Sequence, residues 1–269
     1  MKNFLVKVAL LALVCFLNEA CTGERPQNAA VAADPIAIET IKIERRSGAD
    51  CDKPDGEQVS CAIVSFHYPV VKSGGDALKS AVETWAKDFM VGMVAYAAEP
   101  DNMPPLDVAI QGFFDMHREM AAEMPDIPAL YSAETRDTVL LNDGKYLTLK
   151  LDGYSYAGGA HPNPTSAVAT WDVASGKLMR PEDFITDLAA LQERAEKKFR
   201  EVKAEVFKPE SEGGWGYEFD EVFPFKIADN TGLLEDGLYF CYVPYEVGPY
   251  VMGYTEFVLT FDELKDLMK

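Results

Sequence analysis

The sequence is poor in the residues that metal and nucleophilic chemistry rely on. It contains three histidines in 269 residues. None of His67, His117 and His161 falls at a His-x-x-x-His or cysteine-paired spacing, so no metal and no cofactor is expected. A Gly-x-Ser-x-Gly elbow, a Walker loop and a dinucleotide fingerprint are also missing. Positive charge is short: 25 lysines and arginines stand against 44 aspartates and glutamates, a formal charge of −19. Such a field repels phosphate backbones, which argues against nucleic acid, and attracts basic partners; an acidic surface also serves plain solubility. No apolar run approaches the roughly 20 residues that span a bilayer.

The apolar run that does occur lies at the start, from Val8 through Leu17, behind Lys2 and Lys7 and ahead of Ala20 and Cys21. A basic start, a short hydrophobic stretch and a small residue before a cut form an export signal, expected over residues 1–20. Cys21 is then a candidate lipidation site, holding the chain to a membrane in the periplasm or at the cell surface. Residues 21–35 read as a polar tether. Asn18 and Glu19 depart from the usual pattern before a lipidated cysteine, and Ala30-Val31-Ala32 offers an alternative cut with simple secretion. Loss of Lys2, Lys7 and Glu19 with the leader moves the formal charge from −19 to −20.

With 48% hydrophobic residues over the whole chain, the body after the leader is long and apolar enough to build a real core. Cys51 and Cys61 flank the turn-forming Pro54-Asp55-Gly56, so in an oxidising compartment they are expected to close a disulfide, two free thiols being the alternative. Cys241 sits in an apolar run and reads as a buried free thiol. Residues 36–44 and 59–71 read as strands around this turn. Leu78, Val82, Trp85, Phe89, Met93 and Tyr96 share one helical face from about Asp76, and a second helix follows Pro104-Pro105. Strands over 131–141 and 145–156 flank Asn142-Asp143-Gly144, and a further strand covers 165–173. A helix starting at Arg180-Pro181-Glu182-Asp183 carries Phe184, Leu188, Leu191, Ala195, Phe199 and Val202 on one face. Short strands near 223–228, 237–243 and 254–261 follow, with Asp262 capping a final turn. The clustering of strands and helices predicts an α+β fold of mostly antiparallel sheets. Its expected subdomains cover 36–175 and 176–269.

Two segments stand out as candidate binding elements, and no residue qualifies as catalytic. Tyr154 to Asn163 includes Gly158 and Gly159, which free the backbone for positive φ beside the polar groups of His161 and Asn163. The same segment also suits a tight inter-strand connection. The acidic 208–221 loop carries Trp215, Tyr217 and Glu218, aromatic and charged groups of the kind that anchor a partner or pack a loop. Tyr245 and Glu246 join them, together with the carboxylates of Asp220, Glu221 and Glu256.

The Tyr-x-Tyr-x-Gly-Gly-Ala-His-x-Asn segment precedes a strand, a Gly-Lys step and a Pro-Glu-Asp-Phe helix start. Phe225 to Leu233 and Val243 to Tyr250, with Gly253, follow in order. Together they resemble the paired envelope domains of the lysozyme-sensing anti-sigma factor, the first of which also stands beside a peptidoglycan deacetylase domain. The resemblance spans about residues 36 to 269, with Pro162 departing from the small residue expected after the histidine. It implies a non-catalytic envelope binding module with lysozyme or cell-wall glycan, the substance of peptidoglycan, as ligand. The rival class is a glycan hydrolase using carboxylates near Tyr245-Glu246.

Overall fold

The computed structural model describes residues 34–54, 57–96 and 102–269. The expected leader, Cys21, most of the tether and the Asp55-Gly56 turn lie outside the described residues. Residues Ala33–Lys269 form one compact unit. Its described residues make a mixed α+β structure with a six-stranded sheet, a three-stranded antiparallel sheet and six α-helices.

The six-stranded sheet runs in sequence order through β1 (Ile38–Ser47), β2 (Ser60–Val71), β3 (Ala129–Asn142), β4 (Tyr146–Tyr156), β5 (Asn163–Asp172) and β6 (Leu178–Met179). Every neighbouring pair is antiparallel except β2 and β3. Between those two strands the chain makes α1 (Asp76–Val94) and α2 (Leu106–Glu123), and a crossover of that length returns a strand parallel to its predecessor. The Cys51–Cys61 disulfide ties the loop between β1 and β2 to the start of β2, and Cys241 is free and buried.

Both helices bury their apolar stripes on one face of this sheet. Leu78, Val82, Ala86 and Met90 of α1 are fully buried, as is Phe113 of α2. Tyr96, expected on the α1 stripe, lies past the C-cap and is exposed. Gly153 of β4 lets α1 come close: a β-carbon there would stand 2.5 Å from Met93 Sδ and 2.9 Å from Phe89 Cζ.

The opposite face is covered over β4 and β5 by β7 (Asn230–Leu233), β8 (Gly237–Tyr242) and β9 (Thr255–Thr260), paired in that order. A β-carbon on Gly232 would meet Val168 Cγ1 at 2.7 Å and Thr148 Cγ2 at 2.8 Å, and Leu233 N–H donates to Thr170 Oγ1 at 3.0 Å. This inter-sheet layer is unusually polar. Thr148 and Thr170 share a hydroxyl hydrogen bond of 2.9 Å, and Lys150 of β4 bridges Glu256 of β9 at 2.7 Å and Asp152 at 3.0 Å.

On its other side the smaller sheet carries the helix α4 (Leu188–Val202). Phe199 of α4 is the hub of this core, with ring centroids of Phe207, Phe219, Phe225 and Tyr242 all within 5.0–6.0 Å.

Three local expectations are corrected. The helix from Pro181 is broken into α3 (Pro181–Phe184) and α4, because Ile185 turns into the core and Asp187 restarts the helix by accepting from Ala190 N–H at 3.0 Å. Leu188 and Val202 are consequently exposed. Residues 223–228 form no strand: Pro224 has no donor, and side chains of Gln192 and Tyr242 take the carbonyls of Phe225 and Lys226. The last helical turn, α6 (Phe261–Leu264), is capped by Thr260 in a capping box with Glu263, not by Asp262.

Candidate functional site

The sequence-nominated residues fall into a convergence of three loops. Gly158 and Gly159 both hold positive φ, 83° and 96°, which fits the tight bend between β4 and β5. Tyr156 Oη donates to Gly159 O at 3.1 Å, and His161 Nδ1 donates to Pro162 O at 2.8 Å. The His161 ring stacks on Tyr250 with centroids 3.9 Å apart, and Tyr250 Oη donates to the same Pro162 carbonyl at 3.1 Å. Tyr245 lies beside Tyr250 at 5.7 Å and is 52% exposed. It holds φ 70°, the one positive φ outside glycine among the described residues. Asn163 opens β5 on the surface, paired through its backbone with Ser155.

The acidic loop reaches the same 245–252 segment. Tyr217 Oη donates to Val247 O at 3.1 Å while its ring packs on Phe207 and Phe219. Its backbone lies back along α5 (Ala204–Phe207): Trp215 N–H donates to Glu205 O at 3.2 Å, Gly216 N–H to Lys208 O at 2.9 Å and Tyr217 N–H to Val206 O at 3.0 Å. Gly214 is required there, since a β-carbon would stand 2.0 Å from Lys208 O. Arg200 spans Phe207 and Phe219, its guanidinium carbon 4.5 and 4.8 Å from their centroids, and reaches Glu218 at 3.2 Å. Trp215 is left 45% exposed on a surface shared with Glu205, Glu210, Glu212, Glu218, Asp220 and Glu221.

Two nominated residues are committed inside the fold. Tyr217 is the anchor of its loop rather than a contact. Glu246 has a side chain only 4% exposed; its carboxylate accepts the Asp229 N–H at 2.8 Å and the Val243 N–H at 3.1 Å. Burial raises its pKa above the ordinary carboxylate value, against the opposing pull of those two N–H donors. Glu246 therefore holds a turn and is closed to solvent, which removes it from both the binding and the hydrolase lists. Cys241 is fully buried, and burial pushes its thiol up to about 12, away from the reactive thiolate form.

Tyr250 and Arg200 escaped the sequence reading. Tyr250 follows Gly248-Pro249, but only tertiary packing brings it onto His161. Arg200 lies one residue beyond Phe199 on α4, where a solvated charge was the ordinary expectation. No group of three or more metal-binding side chains occurs among the described residues, and no helix among them is long and apolar enough to cross a membrane.

The geometry is that of an α+β module presenting surface loops on a rigid aromatic base. Residues 177–262 match the model of the DUF3298 family, described as a protein of unknown function, so a DUF3298 domain is present in this chain. Among solved structures, a DUF3298 family member from Bacteroides fragilis is similar at 15% identity and a TM-score of 0.63. A DUF3298 family protein from Pseudomonas aeruginosa is similar at 17% identity and a TM-score of 0.55. In each case the likeness covers 88% of this chain and 95% of the other. At those identities it shows the fold alone. No curated protein matches the chain.

Proposed function

We propose that this protein is a non-catalytic recognition module of the bacterial cell envelope that binds a basic protein, with lysozyme as the first candidate. The observation that carries the reading is the 205–222 ridge. Trp215 stands exposed in a segment that carries six exposed carboxylates, of which Glu218 is paired with Arg200 and Glu205 with Lys208, on a loop already fixed by the Tyr217 anchor and the Arg200 sandwich. A preorganised aromatic anchor avoids the ordering cost that a free loop pays on binding, and surrounding negative charge steers a cationic partner. The resemblance to the lysozyme-sensing ectodomain names lysozyme within that class. The proposal includes export and a lipid anchor at Cys21, which would place the ridge outside the cytoplasm.

The test is calorimetric titration of the purified protein with lysozyme and, separately, with cytochrome c of similar positive charge, at low and high salt. Micromolar binding to lysozyme is expected, weakening with salt, with W215A costing at least tenfold, about 1.4 kcal/mol. Equal affinity for both basic proteins, or no lysozyme binding at micromolar concentration, overturns specific recognition. Palmitate labelling that survives Cys21→Ala overturns the anchor.

A further inference from the structure

A second surface, built on the larger sheet with no residue of the 205–222 loop in its lining, has a different chemistry. The three-stranded sheet covers only part of the outer face of the larger one, and beyond its edge β3 and the Tyr154 end of β4 remain open. Residues two apart on a strand share a face. The β3–β4 register sets Arg136 opposite Asp152 and Glu134 opposite Tyr154. These four residues, with Ser132, Thr135 and Gly153, line an open surface depression of about 480 Å³. That lies within the roughly 300–1,000 Å³ of small-molecule sites.

The charges are nearly balanced. Asp152 is fixed through Oδ1, which accepts from Ser166 Oγ at 2.6 Å and meets Lys150 Nζ at 3.0 Å. Its Oδ2 has no partner among the described residues. Glu134 and Arg136 stand two apart on one strand face, and neither forms an ion pair within 4.0 Å among the described residues. The cavity thus offers two carboxylates against one guanidinium donor, Lys150 being shared between Asp152 and Glu256, and a tyrosine 42% exposed. A cation would meet Arg136, and an anion would meet Glu134. A neutral polyhydroxylated ring suits all of them: its hydroxyls donate to the carboxylates and accept from the guanidinium, while its apolar C–H face lies on the phenol ring.

We infer that this cavity is a saccharide-binding site for a short neutral oligosaccharide, separate from the protein-binding ridge. The probes are chitotetraose and cellotetraose, with tetralysine and citrate as charged controls, titrated into the isotope-labelled protein and followed by backbone amide NMR. At least one of the two neutral sugars should shift the amides of residues 132–136 and 152–154 with millimolar or better affinity. Tyr154→Ala and Glu134→Gln should each weaken it at least tenfold at unchanged Tm, and W215A should leave it unaltered. If no neutral sugar shifts those amides at 10-fold above millimolar concentration, as an order of magnitude for weak binding, the inference fails. It fails equally if tetralysine or citrate binds there more tightly than the sugars, or if both variants keep full sugar affinity. Loss of lysozyme binding in Y154A would show one joint surface and refute the separation, while failure of the ridge alone would leave the saccharide site standing.

Discussion

The polar layer between the two sheets makes a quantitative prediction. Lys150, with a side chain only 12% exposed, holds Glu256 and Asp152 at once, and its ammonium lies 5.9 Å from the Tyr239 ring. Burial works against the charged ammonium, but the hydrogen bonds from Glu256 and Asp152 outweigh it and raise the lysine pKa. Glu256 is also penalised by burial, yet the Lys150 hydrogen bond lowers its pKa overall. Because Glu256 is 44% exposed, solvent screens the pair, and the coupling should be about 1 kcal/mol rather than the several expected of a buried pair. Lys150→Met should cost more, about 2 kcal/mol, since it also leaves two carboxylates facing each other across the layer. The raised lysine contributes stability that is complete below its unfolded pKa and is lost as pH rises through the folded value. The lowered glutamate contributes stability present above its unfolded pKa and lost as pH falls through the folded one. The coupling should therefore be flat from about pH 5 to 10 and vanish in acid. Urea denaturation of the wild type, K150M, E256Q and the double variant at pH 7 and pH 3 measures it. A coupling below about 0.3 kcal/mol at pH 7, or one unchanged at pH 3, would refute the role of this bridge.

The disulfide closes a loop of sequence separation 10, for which chain entropy gives about 2.7 kcal/mol; C51A/C61A should lower stability by about that much in chemical denaturation, and free thiols found in exported protein would contradict the pairing. Tyr245→Asn should relieve the positive-φ strain and raise Tm, by the equivalent of roughly 0.5–1 kcal/mol, while weakening lysozyme binding through loss of an exposed ring. A fall in both would place Tyr245 among the packing residues.

The parts of the fold that the sequence makes legible are those governed by local periodicity. The α1 stripe apart from Tyr96, the α2 stripe, the Asn142-Asp143-Gly144 hairpin and the cysteine pair each follow from spacing or turn chemistry, and they appear where those rules place them. The misread parts depend on tertiary competition. Ile185 interrupts a continuous helical pattern because burial against the final turn is worth more than one further helical hydrogen bond. Residues 223–228 look like a strand by composition, but their carbonyls are taken by Gln192 and Tyr242 from elements far away in sequence.

The site was legible in its loops and illegible in its roles, for one physical reason. A sequence shows which groups are polar and cannot show which of them are consumed in holding the backbone. Glu246 and Glu218 look alike as exposed acids near aromatics, yet one is closed off under two backbone N–H groups and the other lies on the surface against Arg200. The sheet-face cavity was hidden more completely. Only Tyr154 is nominated by the sequence, as the first residue of the glycine segment; strand alternation places Glu134, Arg136 and Asp152 on the face away from α1 and says nothing more. What makes a cavity of them is the β3–β4 register and the short reach of the second sheet, which covers β5 and the Lys150 end of β4 but not β3 or Tyr154. A one-residue slip in that register would pair Glu134 with a different neighbour and turn the facing set inward. The β3–β4 pairing that specifies the fold is thus the same feature that brings acceptor, donor and aromatic ring together on its open face.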